Sequence, residues 1–391
     1  MDGNPMVLAV QGTMAAGDAP MQICGLDQRE ESVGIQPCVE IMTGAQFPLH
    51  DGNYAFDAVI PVEHTVSVPG PGKSSQYIQI NRAAMRHQHR RFAGEDFVTG
   101  ATLVTAGSKI EPQHVMAMAS MGIRKVAVQR RIRVGVWSTG AELAAGSELN
   151  KIKDANGPFL LSALQGLGVD ASFLGVLPDD EGKVAAAIKE ELQTNEFDVL
   201  ITSGAVSAGK FDHIRSAICS ISAQVEFHGV AMRPGHPVLF ATVPRLDLNC
   251  ASDCDHAKCA ASKVAFFGLP GNPIAAAACL RMIVTPYIRQ LEGHQIEPWI
   301  SARVVMQDDL DPNKTPNLPS PPPSHLDVFR HASLQLQGSE LWVSISKEQS
   351  PSKIRPFTGS NCWVHIPRGH GSAKHGDMLR CFSLVLGQRI L

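Results

Sequence analysis

Apolar and polar positions change between strand-like and helix-like spacing from residue 131 to about residue 293. Helical patterns cover 156–167 and 181–192, and Asn156 is expected to cap the first of these helices, with Pro158 in its first turn. The predicted strands are 131–137, 171–177, 198–202 and 264–268. Strands that alternate with helices predict a parallel sheet covered on both faces. We therefore expect a doubly wound parallel α/β domain, with ligands at the carboxyl ends of its strands.

The flanking regions have a different pattern. Residues 12–92 are rich in Gly, Pro and short strand-like pieces, which predicts an extended β-rich domain. A helix is predicted over 112–121. After a Pro-rich break at 312–323, short alternating strands such as 341–345 and 378–385 predict a last, β-rich domain.

Composition excludes several classes of protein. The chain has 391 residues, of which 44% are hydrophobic and 18% charged, and its net charge is −3. This charge gives no reason to expect nucleic acid or an anionic membrane as a partner. No apolar run is long enough to span a bilayer, so no membrane insertion is expected. Nine scattered cysteines favour a reducing, cytoplasmic location over a disulfide framework.

Small residues dominate the loop that follows the third predicted strand, from Thr202 to Asp212. Such residues let the backbone approach a ligand closely, and N–H groups at a following helix favour an anion. This pattern indicates a cradle for a phosphate or another oxyanion. The same residues also form ordinary tight strand-to-helix turns, so the loop alone does not decide between the two interpretations.

Four acidic residues are expected on one rim of the sheet, because each follows a predicted strand: Glu142, Asp154, Asp179 and Asp212. Clustered carboxylates beside a phosphate loop repel one another unless a hard cation such as Mg²⁺ bridges them. The alternative is that each carboxylate caps a helix or a turn. The two roles are compatible for one residue.

Three other segments carry candidate chemistry. Arg233 and His236 lie in a Pro-stiffened loop, Arg-Pro-Gly-His-Pro, which could hold an oxyanion or be a solvated turn. Arg86, Arg90 and Arg91 precede Gly94-Glu95-Asp96, which indicates a cation–carboxylate pairing. Residues 247–262 contain three cysteines and one histidine, but their spacing favours a surface insertion over a zinc site.

Read together, these segments resemble the molybdopterin molybdenumtransferase family, to which the C-terminal domain of gephyrin also belongs. The matching motifs occur in family order, and the similarity is weaker in the last domain. They are Ile41-Met42-Thr43-Gly44-Ala45, the stretch DAVIPVE at 57–63, GED at 94–96, STGAEL at 138–143, residues 202–212, RPGHP at 233–237 and LPGNP at 269–273.

The resemblance implies a fold of four domains. These would be a mixed α/β domain split between 1–11 and 93–130, an elongated β-rich domain at 12–92, the molybdopterin-binding α/β domain at 131–295, and a C-terminal β-barrel at 296–391. It also implies a homodimer, with the active cleft formed together with the partner subunit. A molybdopterin adenylyltransferase is the expected partner enzyme.

The implied reaction inserts molybdenum from molybdate into adenylylated molybdopterin and releases AMP, with Mg²⁺ (or Zn²⁺) assisting. The residues that match the family's acidic and polar site positions are Asp2, Thr43, Asp96, Glu142, Asp179 and Asp212, and the implied metal ligands are Glu142, Asp179 and Asp212. The implied binding residues for the pterin phosphate and for molybdate are Ser203, Gly204, Ser207, Gly209, Arg233, His236, Pro270 and Pro273. Arg330, Ser350 and Ser352 correspond more loosely to further anion contacts.

The sequence departs from the family pattern at several positions. Ala141 and Lys210 replace acidic residues, and His236 replaces a lysine, so molybdate affinity is expected to rise as pH falls. Ala205 replaces a glycine, which strains the loop by about 1–2 kcal/mol if that position is left-handed.

Met1-Asp2-Gly3 matches the middle of the family motif S-A-M-D-G-Y-A, so the helices that precede it are expected to be missing through an incomplete gene model. These departures leave a catalytically impaired homologue, acting as a binding or scaffold protein, as the alternative function. An enzyme that uses the same α/β domain on another phosphorylated ligand is disfavoured by the I-M-T-G-A stretch and the last domain.

Overall fold

The chain folds into two compact units, residues 1–122 and residues 123–391. The structure is a computed structural model. It describes residues 6–23, 26–49, 56–72, 76–140, 143, 152–205, 213–245, 263–305 and 323–385.

The first unit is built on a four-stranded sheet in the order β2-β1-β4-β3, in which β1 is parallel to β2 and antiparallel to β4. Its strands are β1 (Val7–Met14), β2 (Gln36–Ile41), β3 (Thr65–Val68) and β4 (Gln76–Ile80). Helix α1 (Gln28–Ser32) brings the buried Glu30 carboxylate to the Tyr77 hydroxyl, which donates to it at 2.6 Å. Helix α2 (Pro112–Ser120) confirms the helix predicted there and begins at a proline, which suits a first helical position.

The second unit contains a six-stranded sheet in the order β6-β5-β7-β11-β10-β8. Its strands are β5 (Arg133–Thr139), β6 (Asp170–Leu177), β7 (Val199–Ser203), β8 (Gln224–His228), β10 (Leu239–Pro244) and β11 (Lys263–Leu269). The four predicted strands β6, β5, β7 and β11 are parallel, as expected. Two antiparallel strands, β10 and β8, extend the sheet at one side.

Helices cover both faces of this sheet, so the doubly wound arrangement is confirmed. They are α3 (Asn156–Gly166), α4 (Glu181–Thr194), α5 (His213–Ser220), α6 (Pro273–Cys279) and α7 (Thr285–Leu291). Ile188 of α4 and Ile214 of α5 pack with Leu200 on one face, whereas Leu160 of α3 and Ile288 of α7 pack with the neighbouring strand residues on the other. Each of these fully buried side chains contributes about 1.5–3 kcal/mol through removal of apolar surface from water.

A closed five-stranded barrel ends the described chain, which confirms the C-terminal β-barrel. The strands follow the order β14-β12-β16-β15-β13, and β13 pairs back to β14. They are β12 (Ile300–Val305), β13 (Asp327–Gln337), β14 (Glu340–Ile345), β15 (Cys362–Ile366) and β16 (Met378–Ser383). The short strand β9 (Met232–Arg233), which follows β8, pairs in parallel with β13. Among the described residues, no helix is both long enough and apolar enough to cross a membrane.

Candidate functional site

Three loops meet at the carboxyl edge of the parallel strands. Thr139 at the end of β5 donates through Oγ1 to the Ser203 carbonyl at 3.0 Å, and the Gly204 N–H donates to the Leu269 carbonyl at 2.8 Å. Thr139, Ser203 and Leu269 are all buried. These bonds join the ends of β5, β7 and β11, so the first residues of the predicted phosphate loop rest on a fixed base.

The start of the phosphate loop has an unusual backbone. Gly204 has φ +107°, and a Cβ at this position would lie 2.4 Å from Thr139 Oγ1. Only glycine fits such an approach. Ala205 follows with φ +52°, in the left-handed region where a Cβ crowds the following carbonyl. The condition for strain at Ala205 is therefore met. Ser207, Gly209 and Asp212 lie outside the described residues.

Asp154, and not Asn156, caps the start of α3, which is the capping alternative that the sequence left open for Asp154. Asp154 accepts from the N–H groups of Asn156 and Gly157, both at 3.0 Å, so its carboxylate caps the start of α3. The prediction that Asn156 is the cap is wrong, because Asn156 is already the first residue of the helix. Its side-chain amide instead donates to Ser203 Oγ at 2.7 Å and to the Gly271 carbonyl at 2.8 Å, outside the helix.

Asp179 lies just after the carboxyl end of β6, on the same edge of the sheet, and is exposed. The next residue, Asp180, caps α4 by accepting from the Lys183 N–H at 2.8 Å. Glu142, which follows β5 and was expected on the same edge, lies outside the described residues. In the part of the chain that the structure covers, no group of three or more His, Cys, Asp or Glu side chains could hold a metal ion.

The RPGHP loop begins at β9 and packs against α6. A Cβ at Gly235 would lie 2.5 Å from Cys279 Sγ, so the loop approaches the helix more closely than a side chain permits. His236 is exposed, and its Nδ1 donates to the Val230 carbonyl at 2.6 Å. The carbonyl can only accept, so this bond fixes the proton on Nδ1 and leaves Nε2 for other partners.

Arg330 of the barrel lies near Arg233, because β9 pairs with β13. Burial and the positive charge of Arg233 both lower the pKa of the Arg330 guanidinium. Burial and the Arg330 charge lower the pKa of the neighbouring His331 to about 4, so this ring is neutral at physiological pH. The Arg233 and Arg330 charges are thus close enough to repel each other, and the uncharged His331 ring adds no further positive charge. Such a pair is suited to an oxyanion.

The Ser350–Ser352 segment docks on the start of α6. The Ile274 N–H donates to the Pro351 carbonyl at 3.0 Å, and the two serine hydroxyls are 3.1 Å apart. The Gln349 side-chain amide donates to the His331 carbonyl at 3.0 Å, which ties this segment to β13. The structure therefore brings the loosely matched serines next to Pro273, the first residue of α6. Pro270 lies at the start of the same LPGNP loop and is buried.

Thr43 and Asp96 belong to the first unit. Thr43 lies in an exposed turn directly after β2, in which the Ala45 N–H donates to the Met42 carbonyl at 3.1 Å. Asp96 accepts from Arg91 Nη2 at 2.8 Å, with both side chains exposed. This is the cation–carboxylate pairing that the sequence indicated. Asp2 lies outside the described residues.

The contacts of Asn156 escaped the sequence analysis. An asparagine two residues after an aspartate at a helix start has the appearance of a cap, and the residue pattern does not show that a neighbouring aspartate already supplies one. The sequence also does not predict the pairing of β9, which contains Arg233, with β13, because the two strands are distant in the sequence.

Comparisons with known proteins agree with this arrangement. Residues 1–122 match the MoeA N-terminal region (domain I and II), and residues 135–290 match the probable molybdopterin binding domain. The molybdopterin molybdenumtransferase of Synechococcus elongatus is 26% identical over 97% of this chain and 83% of its own length. That of Bacillus subtilis is 28% identical over 87% of this chain and 71% of its own length.

Solved structures of MoeA proteins are also similar to this chain. A molybdopterin biosynthesis MoeA protein from Pyrococcus horikoshii has a TM-score of 0.68 at 25% identity, covering 97% of this chain and 82% of that one. Another structure, of a molybdopterin biosynthesis MoeA protein from Pyrococcus horikoshii OT3, has a TM-score of 0.65 at 21% identity, covers 97% of this chain and 81% of that one, and supports the fold alone. The two domain matches occur in family order, and the relatives are matched over most of this chain. The chain belongs to the molybdopterin molybdenumtransferase family.

Proposed function

We propose that this chain is a molybdopterin molybdenumtransferase, which inserts molybdenum from molybdate into adenylylated molybdopterin with release of AMP. The observation that carries the proposal is the proximity of Arg233 and Arg330, on a strand that is tied to the serine segment docked on α6. Two arginines from separate elements, brought together where they repel each other, indicate a bound dianion. Molybdate is a tetrahedral dianion of fitting charge.

We assign a task to each part of the proposed site. Arg233 and Arg330 hold molybdate oxygens through N–H groups in a fixed fork, and Ser350 and Ser352 add hydroxyl donors. Preorganised backbone groups of the loop that begins at Ser203 hold the phosphate of the pterin. His236 directs Nε2 away from Val230 and supplies a further contact to the oxyanion.

A divalent cation fits the chemistry of the donor set. Glu142, Asp179 and Asp212 would hold it through carboxylate oxygens, which are the ligands that Mg²⁺ prefers. We therefore favour Mg²⁺ over Zn²⁺. When bound, the ion neutralises pyrophosphate charge and polarises phosphorus toward water. Removal of divalent ions with a chelator is expected to abolish AMP release without unfolding the protein.

Other features of the proposal rest on the family. We expect a homodimer, a cytoplasmic location and a molybdopterin adenylyltransferase as the enzyme that supplies the substrate. The roles of Asp2, Thr43 and Asp96, as well as the four-domain division with its split first domain, stay predictions.

Turnover tests the proposal. The purified, folded protein is incubated with adenylylated molybdopterin and Mg²⁺, with and without molybdate, and AMP is measured. We expect AMP release that depends on molybdate. If the folded protein releases no AMP, the enzyme function is wrong and the alternative of an impaired homologue with a binding or scaffold role takes its place.

A further inference from the structure

Asn156 connects two loops of the proposed site that are distant in the sequence. Its Nδ2 donates to Ser203 Oγ at 2.7 Å, at the start of the phosphate loop, and to the Gly271 carbonyl at 2.8 Å, in the LPGNP loop. The residue is 9% exposed. Both bonds are therefore shielded from water and contribute more to the geometry than exposed ones.

The orientation of the amide is fixed by its partners. The Gly271 carbonyl can only accept a hydrogen bond, so the atom that faces it must be the nitrogen. Since the same nitrogen donates to Ser203 Oγ, the serine oxygen acts there as an acceptor. The serine hydrogen is directed elsewhere, and its contact with the Pro270 carbonyl is long, at 3.5 Å. Asn156 thereby sets the direction of the Ser203 hydroxyl as well as its position.

The two loops that Asn156 joins also touch directly. A Cβ at Gly271 would lie 3.6 Å from Gly204 Cα, so the space between the two backbones is about one methyl group wide. The backbone bond from Gly204 to the Leu269 carbonyl, at 2.8 Å, joins the two loops at their base. The Asn156 amide joins them a second time, at Ser203 and Gly271, while Asp154 holds the backbone of Asn156 through the cap at 3.0 Å.

We propose that Asn156 is a positioning residue for the phosphate cradle, which holds the loop after β7 and the LPGNP loop in the spacing that binds the pyrophosphate of the substrate. The identity of this ligand rests on the proposed function. Asn156 itself touches no reacting atom. Its effect reaches the substrate through Ser203, Gly204 and Gly271.

Asn156→Ala removes both bonds and keeps the Asp154 cap. Asn156→Asp keeps the size of the side chain but sets a carboxylate oxygen against the Gly271 carbonyl. We expect both variants to bind inorganic pyrophosphate, measured by calorimetry, about tenfold more weakly or worse. Gln165→Ala, which truncates an exposed amide on the same helix, is the matched control and is expected to bind as the wild type does.

Turnover separates a positioning role from general loss of structure. In Asn156→Ala we expect the KM for adenylylated molybdopterin to rise, whereas the KM for molybdate stays unchanged because Arg233 and Arg330 are untouched. A merely structural role would change both KM values together with the unfolding midpoint.

Pyrophosphate binding also keeps this inference separate from the proposed function. A wild type that binds pyrophosphate but releases no AMP contradicts the function and leaves the positioning role in place. The role is overturned if wild type fails to bind pyrophosphate, or if both Asn156 variants bind it as tightly as wild type. Asn156→Asp, with its unchanged volume, decides the question if Asn156→Ala does not fold.

Discussion

Ala205 is the residue at which the sequence departs from its family with a direct structural consequence. Its φ of +52° lies in the left-handed region, where a Cβ costs about 1–2 kcal/mol. Ala205→Gly removes this strain but also increases the freedom of the unfolded chain by about 0.4–1 kcal/mol. We expect a net gain of up to about 1.6 kcal/mol in the free energy of unfolding, measured with urea.

Ala186→Gly is the control for this substitution. Ala186 lies on the exposed side of α4, where glycine lacks any conformational advantage. There the change is expected to lower the free energy of unfolding by about 0.5–1 kcal/mol. If Ala205→Gly destabilises the protein as much as Ala186→Gly does, the loop is not strained at Ala205.

Arg330 provides a second test at the residue scale. Its charge is partly buried and repelled by Arg233, so a bound anion would relieve this repulsion. Arg330→Met is expected to leave the unfolding temperature without ligand unchanged or higher. Molybdate should raise the unfolding temperature of wild type by mass action and have little effect on the variant.

Arg303→Met serves as the control for Arg330→Met, because Arg303 is an exposed arginine on another strand of the same barrel. Molybdate should raise the unfolding temperature of Arg303→Met as much as it raises that of wild type. An equal rise in Arg330→Met and wild type would remove Arg330 from the binding site.

His331 predicts a dependence of stability on pH. Its pKa is about 4 in the folded protein, below the ordinary value of about 6.5 in an unfolded chain. Between these values the unfolded chain binds a proton that the folded protein does not, so stability falls as pH is lowered through this window. From pH 7.5 to pH 5, wild type is expected to lose about 2 kcal/mol more than His331→Phe in urea unfolding. Parallel losses in the two proteins would show that His331 is not held neutral.

At the scale of elements, the sequence predicted those parts of the fold that depend on local patterns. Strands β5, β6, β7 and β11 were correct in type and direction because buried parallel strands are continuous apolar runs with helices between them. The sequence could not show which carboxylate caps α3, since Asp154 and Asn156 both suit a helix start. It also could not show that β9 pairs with β13, because such pairing depends on packing between distant segments rather than on local propensity.

Part of the candidate site was predictable for the same reason. Ser203, Gly204 and the prolines of the LPGNP loop follow strands directly, so their common edge follows from strand order. Arg330 and the serines lie in the barrel, and their approach to α6 depends on how the barrel packs within the second unit. Only the family resemblance connected them to the site, and only loosely.

Arg281 links two elements of the second unit and predicts a large effect on stability. It lies in a π-helical turn between α6 and α7, buried, and donates to Glu297 at 2.5 Å and to the Ser383 carbonyl at 2.9 Å. Arg281→Met leaves a half-buried carboxylate and a buried carbonyl without their donor. We expect the free energy of unfolding to fall by about 3 kcal/mol.

Two further variants test the role of Arg281. Glu297→Gln added to Arg281→Met should recover part of the loss, because it removes the unpaired charge. Arg289→Met, which loses a single exposed hydrogen bond, should lower stability by about 1 kcal/mol or less. If Arg281→Met lowers the free energy of unfolding no more than Arg289→Met does, the contact of Arg281 with the barrel does not stabilise the second unit.

At the scale of the whole molecule, the candidate site combines parts of the second unit that serve different ligands. The carboxyl edge of the sheet is tied together by Thr139, Asn156 and Gly204, and we propose that it binds the phosphate. The RPGHP loop and the barrel contribute Arg233 and Arg330, which suit a metal oxyanion. A molybdenum-inserting enzyme needs both kinds of binding in one place, and this is the physical basis of the proposed function.

The most direct measurement of this claim is the molybdenum content of the pterin product, determined by mass spectrometry together with the AMP released in the same reaction. We predict one molybdenum atom transferred for each AMP, with both products lost together in Arg330→Met. AMP released without molybdenum transfer, or neither product from folded wild type, would contradict it.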